Sequence, residues 1–341
     1  MSAPVTGWDI GGANVKAVLV NGHEAAPVRV ITQPFALWRE PHRLADVLTE
    51  IGTKLGAAGV MAVTMTAELA DCFATKREGV CFVLDACARA FPAATTRVYG
   101  LDDRFHTLDE AARDPHLVAA ANWLAVATWA APDHADAILI DVGSTTTDIV
   151  PIVGGRVCVQ GRTDTDRLVS GELVYTGMLR TPVSALMRRV RLRDRWCRTA
   201  AEHFAIAADA HVWLRRITPA DYTCDTPDGR GTGRGDAGRR LARMVCADAE
   251  TISPRDVTAI ARRVVSAQQR VIGRALRQVV DRLGTAAPAI ALTAGSGHPL
   301  AAEVAHAAGL TPVALADEDV SGVAPALAVA RLLACRITTD R

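Results

Sequence analysis

The chain has 341 residues, half of them hydrophobic, and its 38 basic and 37 acidic side chains leave a formal net charge of +1. That length supports two domains with real cores, and the composition excludes a disordered chain. A balanced charge offers no field for a nucleic-acid backbone and no polybasic membrane anchor, and 4% aromatic residues are too few for base-stacking platforms. Partners are therefore expected among small molecules, with oligomerisation left open.

Eight cysteines are present, none in a C-x-x-C pair or at zinc-finger spacing. With no start resembling a signal peptide and no apolar run of membrane-spanning length, the chain reads as cytoplasmic with reduced thiols. Of the 38 basic residues only Lys16, Lys54 and Lys76 are lysines. Composition bias accounts for the scarcity but not for where the three stand.

In chain order, Val5–Val20 (VTGWDIGGANVKAVLV) reads as an apolar strand through Asp9, a tight turn at Gly11, Gly12 and Asn14, and a second strand closing at the hairpin dipeptide Asn21 and Gly22. Gly59–Thr66 and Val80–Leu84 are apolar runs of strand length. His116–Ala131 has helical length and carries Trp123 and Trp129, and Pro132–His134 breaks the chain. Ile138–Val150 (ILIDVGSTTTDIV) then repeats the first layout, with Gly154 and Gly155 as its hairpin dipeptide. The interval from Asp9 to Lys16 equals that from Asp141 to Asp148.

Such a repeat predicts a duplicated α/β architecture with a cleft between the halves. The expected domains are 1–134 and 135–319, the second with an Arg- and Gly-rich insertion at about 160–250, and a C-terminal helix at about 320–341 free to pack back on the first. Thr226–Arg240 (TPDGRGTGRGDAGRR) reads as an exposed loop. Ser253, Pro254 and Asp256 open a long helix with Val257, Ile260, Val264, Val271, Leu276 and Val280 as its apolar positions and Gly284 at its end. Ala289–Thr293 is a buried strand running into the turn Gly295, Ser296, Gly297. Pro312–Leu315 and Val323–Ala334 continue as strand and helix.

A Gly/Ser/Thr turn after a strand presents backbone N–H groups to an anion without a Walker sequence. The candidate phosphate contacts are Gly11, Gly12, Asn14, Gly143, Ser144, Thr145, Thr146 and the turn Gly295–Gly297. A carboxylate ending each strand would repel phosphate unless a cation stood between, so Asp9 and Asp141 predict bound Mg²⁺. Lys16 closes the first motif as a compact charge that Arg does not replace closely.

The three turns together resemble the phosphate-1, phosphate-2 and adenosine motifs of the acetate kinase, sugar kinase, Hsp70 and actin superfamily, which implies an RNase H-like fold in each half. Five segments are similar to a narrower group, the hydantoinase/oxoprolinase-like proteins linked to tetrahydromethanopterin-dependent one-carbon transfer. They are Thr64–Val80 (TMTAELADCFATKREGV), Asn122–Ala125 (NWLA), Thr163–Leu168 (TDTDRL), Glu172–Gly177 (ELVYTG) and Thr226–Arg230 (TPDGR).

Archaeal members of that group are methanofuran-biosynthesis synthases. The resemblance implies a transferase joining an aminomethylfuran-methyl diphosphate to the phenol of γ-glutamyltyramine, or a tyrosine-derived analogue, with release of diphosphate. It implies Glu68, Asp71, Lys76, Asp164 and Glu172 as substrate contacts, Lys76 meeting a phosphate or the glutamyl carboxylate. A phenol, with a pKa near ~10, needs a base, for which Asp71, Asp148, Asp164 and Glu172 stay open. The alternative from the same fold is an ATP-dependent kinase or hydantoinase-like amidohydrolase, with ATP at Gly295–Gly297.

Overall fold

The computed structural model describes residues 4–21, 29–57, 59–316 and 318–339. Two compact units share the chain: residues 1–137, 150–164 and 315–341 form the first, and 138–149 with 165–314 the second.

In the first unit, β1 (Val5–Gly11), β2 (Asn14–Val20), β3 (Arg29–Pro34), β4 (Val60–Thr66), β5 (Thr95–Tyr99) and β6 (Phe105–His106) form one sheet in the order β3-β2-β1-β4-β5-β6. The hairpin strands β2 and β3 run antiparallel on one side of β1, while β4 and β5 run parallel to it on the other. Trp8 and Ile10 share one apolar cluster with the buried faces of the helices Leu44–Leu55 and Lys76–Ala90. The opposite face of β1 receives the helix Ala324–Thr339 so closely that a Cβ on Gly7 would sit 2.0 Å from the Ala326 carbonyl oxygen.

Two expectations change here. Val80–Leu84 is not a strand but the middle of the helix Lys76–Ala90, because Thr75 caps it by accepting from the Glu78 amide at 3.1 Å, and Val80, Val83, Leu84 and Cys87 recur on one buried face. His116–Ala131 is not one helix but two, Pro115–Val118 and Asn122–Ala130, interrupted where Ala120 takes a positive φ of 49°. Trp123 is buried and Trp129 half-buried. Gly22 of the first hairpin dipeptide lies outside the described residues.

The second sheet comprises β7 (Ala137–Val142), β8 (Thr147–Val153), β9 (Arg156–Val157), β10 (Leu173–Val174), β13 (Ile290–Ala294) and β14 (Thr311–Ala314), in the order β10-β8-β7-β13-β14 with β9 also on β8. β11 (Arg189–Leu192) and β12 (Arg195–Arg198) make a separate hairpin. A central strand with its hairpin on one side and two parallel strands on the other repeats the first sheet. Gly154 and Gly155, at φ 57° and 72°, form the two-residue turn that both-positive φ values require.

The helix Pro254–Leu283 begins with the expected capping box, Ser253 and Asp256 bonding each other's backbone amides. Its apolar stripe differs at two positions, Val271 being exposed with Ile272 buried in its stead and Val280 half-buried beside the buried Val279. Thr226–Arg240 is not simply an exposed loop. The helix Arg234–Arg243 starts within it, and Arg240 is fully buried, with Nε 2.8 Å from Asp209 Oδ1 and Nη1 2.9 Å from Asp228 Oδ1. Two carboxylates from distant segments hold a guanidinium that composition alone assigns to solvent. Among the described residues no helix is long and apolar enough to cross a membrane.

Gly7→Ala is expected to lower the urea midpoint by the equivalent of about 3 kcal/mol, since backbone must move to admit the methyl group. Gly235→Ala, at a helical glycine with open space around it, is expected to be neutral or stabilising by up to about 1 kcal/mol. Arg240→Ala leaves the Asp209 carboxylate buried without its cation, and a loss of about 3–5 kcal/mol in the same melts is expected.

Candidate functional site

The first Asp-bearing hairpin is positioned by strand register. Asp9 of β1 stands opposite Lys16 of β2 and beside Thr64 of β4, so three polar side chains form a row across three neighbouring strands. Asp9 is 5% exposed; Lys16 Nζ lies 3.4 Å from its Oδ2, while Oδ1 and the buried Thr64 Oγ1 have no protein hydrogen-bond partner. In the turn that follows, the Gly12 and Ala13 carbonyls accept from the Leu37 and Phe35 amides, each at 3.0 Å. Two of the turn's carbonyls are thus engaged by the chain itself.

Two residues beyond β4, Glu68 is 2% exposed and its Oε2 meets no donor. The helix Lys76–Ala90 lies directly on its backbone: a Cβ on Gly79 would come within 2.3 Å of the Glu68 carbonyl oxygen. Lys76, the first residue of that helix, pairs with Asp164 at 2.5 Å. Burial pushes the Glu68 carboxyl up from 4.5 to about 7, outweighing the opposing effects of its own backbone hydrogen bond and the Lys76 charge, with Asp164 adding to the rise. Asp71 is exposed. The first unit thus brings Glu68, Lys76 and Asp164 together and leaves Asp71 at the surface.

The second loop repeats the device. Gly143 donates to the Thr146 carbonyl at 2.9 Å, closing the turn, while Met178 donates to the Gly143 carbonyl at 2.8 Å and Leu179 and Arg180 both donate to that of Ser144 at 3.0 Å. Ser144 Oγ and Thr145 Oγ1 lie 3.5 Å apart. Gly177 permits this overlay, because a Cβ there would stand 2.6 Å from the Thr145 amide nitrogen. Gln268 of the helix Pro254–Leu283 donates to the Gly177 carbonyl at 2.8 Å and is itself 2.9 Å from His211 Nε2. Burial drives His211 down to about 4, so the ring is neutral.

Gly295, at φ 81°, rests against Asp141: a Cβ there would lie 2.3 Å from Asp141 Oδ1. Gly297 donates to the Val142 carbonyl at 2.8 Å, and Ser296 between them is exposed. The third turn therefore adjoins the second Asp-bearing strand. Asp148 is held by the buried Arg167 at 2.9 Å. Glu172 is fully buried, with Ser170 Oγ donating to its Oε2 at 2.8 Å and Arg282 Nη2 2.7 Å from its Oε1.

Sequence reasoning missed Thr64, Gly177, Arg167, Gln268 and Arg282. Thr64, Arg167 and Gly177 lie inside the family-like segments, which was the signal available for them. Gln268 and Arg282 are ordinary residues of a long helix and carried none.

A twice-repeated sheet with an Asp-bearing hairpin on each central strand is the duplicated α/β fold that the sequence repeat predicts. Solved structures agree in fold: nucleotide-free acetone carboxylase superposes with a TM-score of 0.57 at 10% identity over 96% of this chain and 70% of that one. The PilM–PilN complex of type IV pilus biogenesis gives 0.50 at 13% identity over 97% and 98%.

The hydantoinase/oxoprolinase family model matches residues 60–336, and the chain belongs to that family. A relative from Methanocaldococcus jannaschii named (4-{4-[2-(gamma-L-glutamylamino)ethyl]phenoxymethyl}furan-2-yl)methanamine synthase is 40% identical over 253 residues, 74% of each chain. A relative of the same name from Methanococcus vannielii is 43% identical over 116 residues, 34% of this chain and 52% of its own.

Because Glu68 is raised from 4.5 to about 7, its neutral form favours folding below pH 4.5, and that contribution is lost as pH climbs through 7. The difference amounts to about 3 kcal/mol. Glu68→Gln is therefore expected to melt higher than wild type at pH 8 and equally at pH 4.5, as followed by circular dichroism.

Proposed function

We propose that this protein is an ether-forming transferase of methanofuran-type cofactor biosynthesis. It joins an aminomethylfuran-methyl diphosphate to the phenol oxygen of γ-glutamyltyramine, or a tyrosine-derived analogue, and releases diphosphate. The observation that carries the proposal is the 40% identity to a synthase whose name describes that phenoxymethylfuran product. Two phosphate loops with committed carbonyls supply what its leaving group requires.

A furan ring delocalises positive charge at its methylene carbon, so the main catalytic task is to stabilise departing diphosphate. N–H groups of the turns Gly11–Asn14 and Gly143–Thr146 receive phosphoryl oxygens, with Ser144 and Thr145 hydroxyls as further donors. Lys16 contributes a compact positive charge beside Asp9. One observation supports Mg²⁺ here: Asp9 Oδ1 is buried and lacks a protein partner. Few carboxylates with phosphate and water completing the shell is how Mg²⁺ is ordinarily bound. Asp9 is the residue of the first unit that would hold it, and there it would supply positive charge against a diphosphate.

One observation favours the second reading, an ATP-dependent kinase or amidohydrolase: the Gly295–Gly297 turn adjoins Asp141, as an adenosine motif would. Incubation with the furfuryl diphosphate, γ-glutamyltyramine and Mg²⁺ decides between them. The transferase yields the ether and diphosphate without ATP. No ether, together with Mg²⁺-dependent calorimetric binding of a non-hydrolysable ATP analogue, overturns it in favour of the second reading. Asp9→Asn is expected to lower kcat at least 10²-fold with its melting curve intact, and Lys16→Arg to lower it about tenfold, read as diphosphate release.

A further inference from the structure

The proposed reaction forms an ether from a phenol, so a group must take the phenolic proton. Among the carboxylates that the sequence brought forward, most are already engaged by cations. Asp148 is bound by Arg167, Glu172 by Arg282 and Ser170, Asp164 by Lys76, and Asp9 by Lys16 on one oxygen. A carboxylate committed to a guanidinium or ammonium is a weak base, because protonation would strand its partner's charge. Asp71 is exposed.

Glu68 stands apart. Its carboxyl is buried, its Oε2 has no donor, and the charged groups facing it are Lys76 and Asp164, which balance each other in an ion pair. A buried polar atom without a partner is an unfilled hydrogen-bonding position. The next residue, Leu69, is 60% exposed. An aryl ring covering Leu69 while its hydroxyl meets Glu68 would satisfy both features. Glu68 also lies at the carboxyl end of β4, on the edge of the sheet where β1 opens into the first phosphate loop. Ligands of open parallel sheets bind at that edge.

We infer that Glu68 is the general base that accepts the proton of the phenolic substrate, an assignment resting on the transferase reading above. The phenol O–H bond breaks and its proton passes to Glu68 Oε2. The phenolic oxygen pair forms the C–O bond to the furfuryl methylene, and the methylene–diphosphate bond breaks with its electron pair leaving on diphosphate. Glu68 then returns the proton to solvent. The Lys76 ammonium, close enough to act on the Glu68 charge, favours the ionised carboxylate before transfer.

The test compares wild type with Glu68→Gln and Glu68→Asp, measuring ether and diphosphate across pH 5–9 with γ-glutamyltyramine and a ring-fluorinated, more acidic analogue. Glu68→Gln is expected to lose about 10²–10⁴-fold in kcat with KM nearly unchanged, and to lose the rise in rate through pH 7 that wild type shows. The acidic phenol is expected to recover part of the loss in Glu68→Gln and little in wild type, and Glu68→Asp to keep intermediate activity. A Glu68→Gln enzyme within threefold of wild type, or one with the same pH limb and no gain from the acidic phenol, overturns the assignment. If Glu68→Gln fails to fold, Glu68→Asp carries the test through its pH limb. Wild type forming no ether with either phenol overturns the transferase reading instead.

Discussion

A turn suited to an anion has to keep its carbonyl oxygens away from it, and two turns of this chain have carbonyls committed elsewhere by the same means. After each Asp-bearing strand, a later segment crosses the turn and donates its amides to the turn's carbonyls. Phe35 and Leu37 do this for Ala13 and Gly12, and Met178, Leu179 and Arg180 for Gly143 and Ser144. The glycines follow from the same requirement for close backbone approach. Gly177 lets the second crossing segment touch its loop, Gly295 lets the third turn rest on Asp141, and Gly79 lets a helix lie on the backbone of Glu68.

Burial then sorts the carboxylates by role. Asp148 and Glu172 are fixed by arginines within the second unit, and Asp209 by Arg240, so these charges are structural and compensated. Asp9 and Glu68 each retain a buried oxygen without a protein partner. The distinction separates charges that hold the fold from charges that have something left to bind.

The duplication was legible in the sequence because it rests on local signals: apolar strands, Asp at a fixed interval from the closing polar residue, and Gly-Gly for a turn with two positive φ values. Short apolar runs were the weak point. Val80–Leu84 fits either period, and only the Thr75 cap and the spacing on to Cys87 show a helix. The site was legible in part. The loops and Lys16 follow from local pattern, whereas Lys76 meets Asp164 from 88 residues away and Arg240 meets Asp209 from 31. No local rule encodes such pairings. Of the three lysines, Lys16 and Lys76 stand beside carboxylates at the site, and Lys54 is an exposed helix residue.

The central claim is that the ether oxygen comes from the phenol while the oxygen joining methylene to diphosphate leaves. The most direct measurement places ¹⁸O at that bridging oxygen of the furfuryl diphosphate and follows both products by mass spectrometry. The account predicts an unlabelled ether and all of the label in diphosphate. Label retained in the furan product, or an intact diphosphate ester after incubation with folded protein, γ-glutamyltyramine and Mg²⁺, would contradict it.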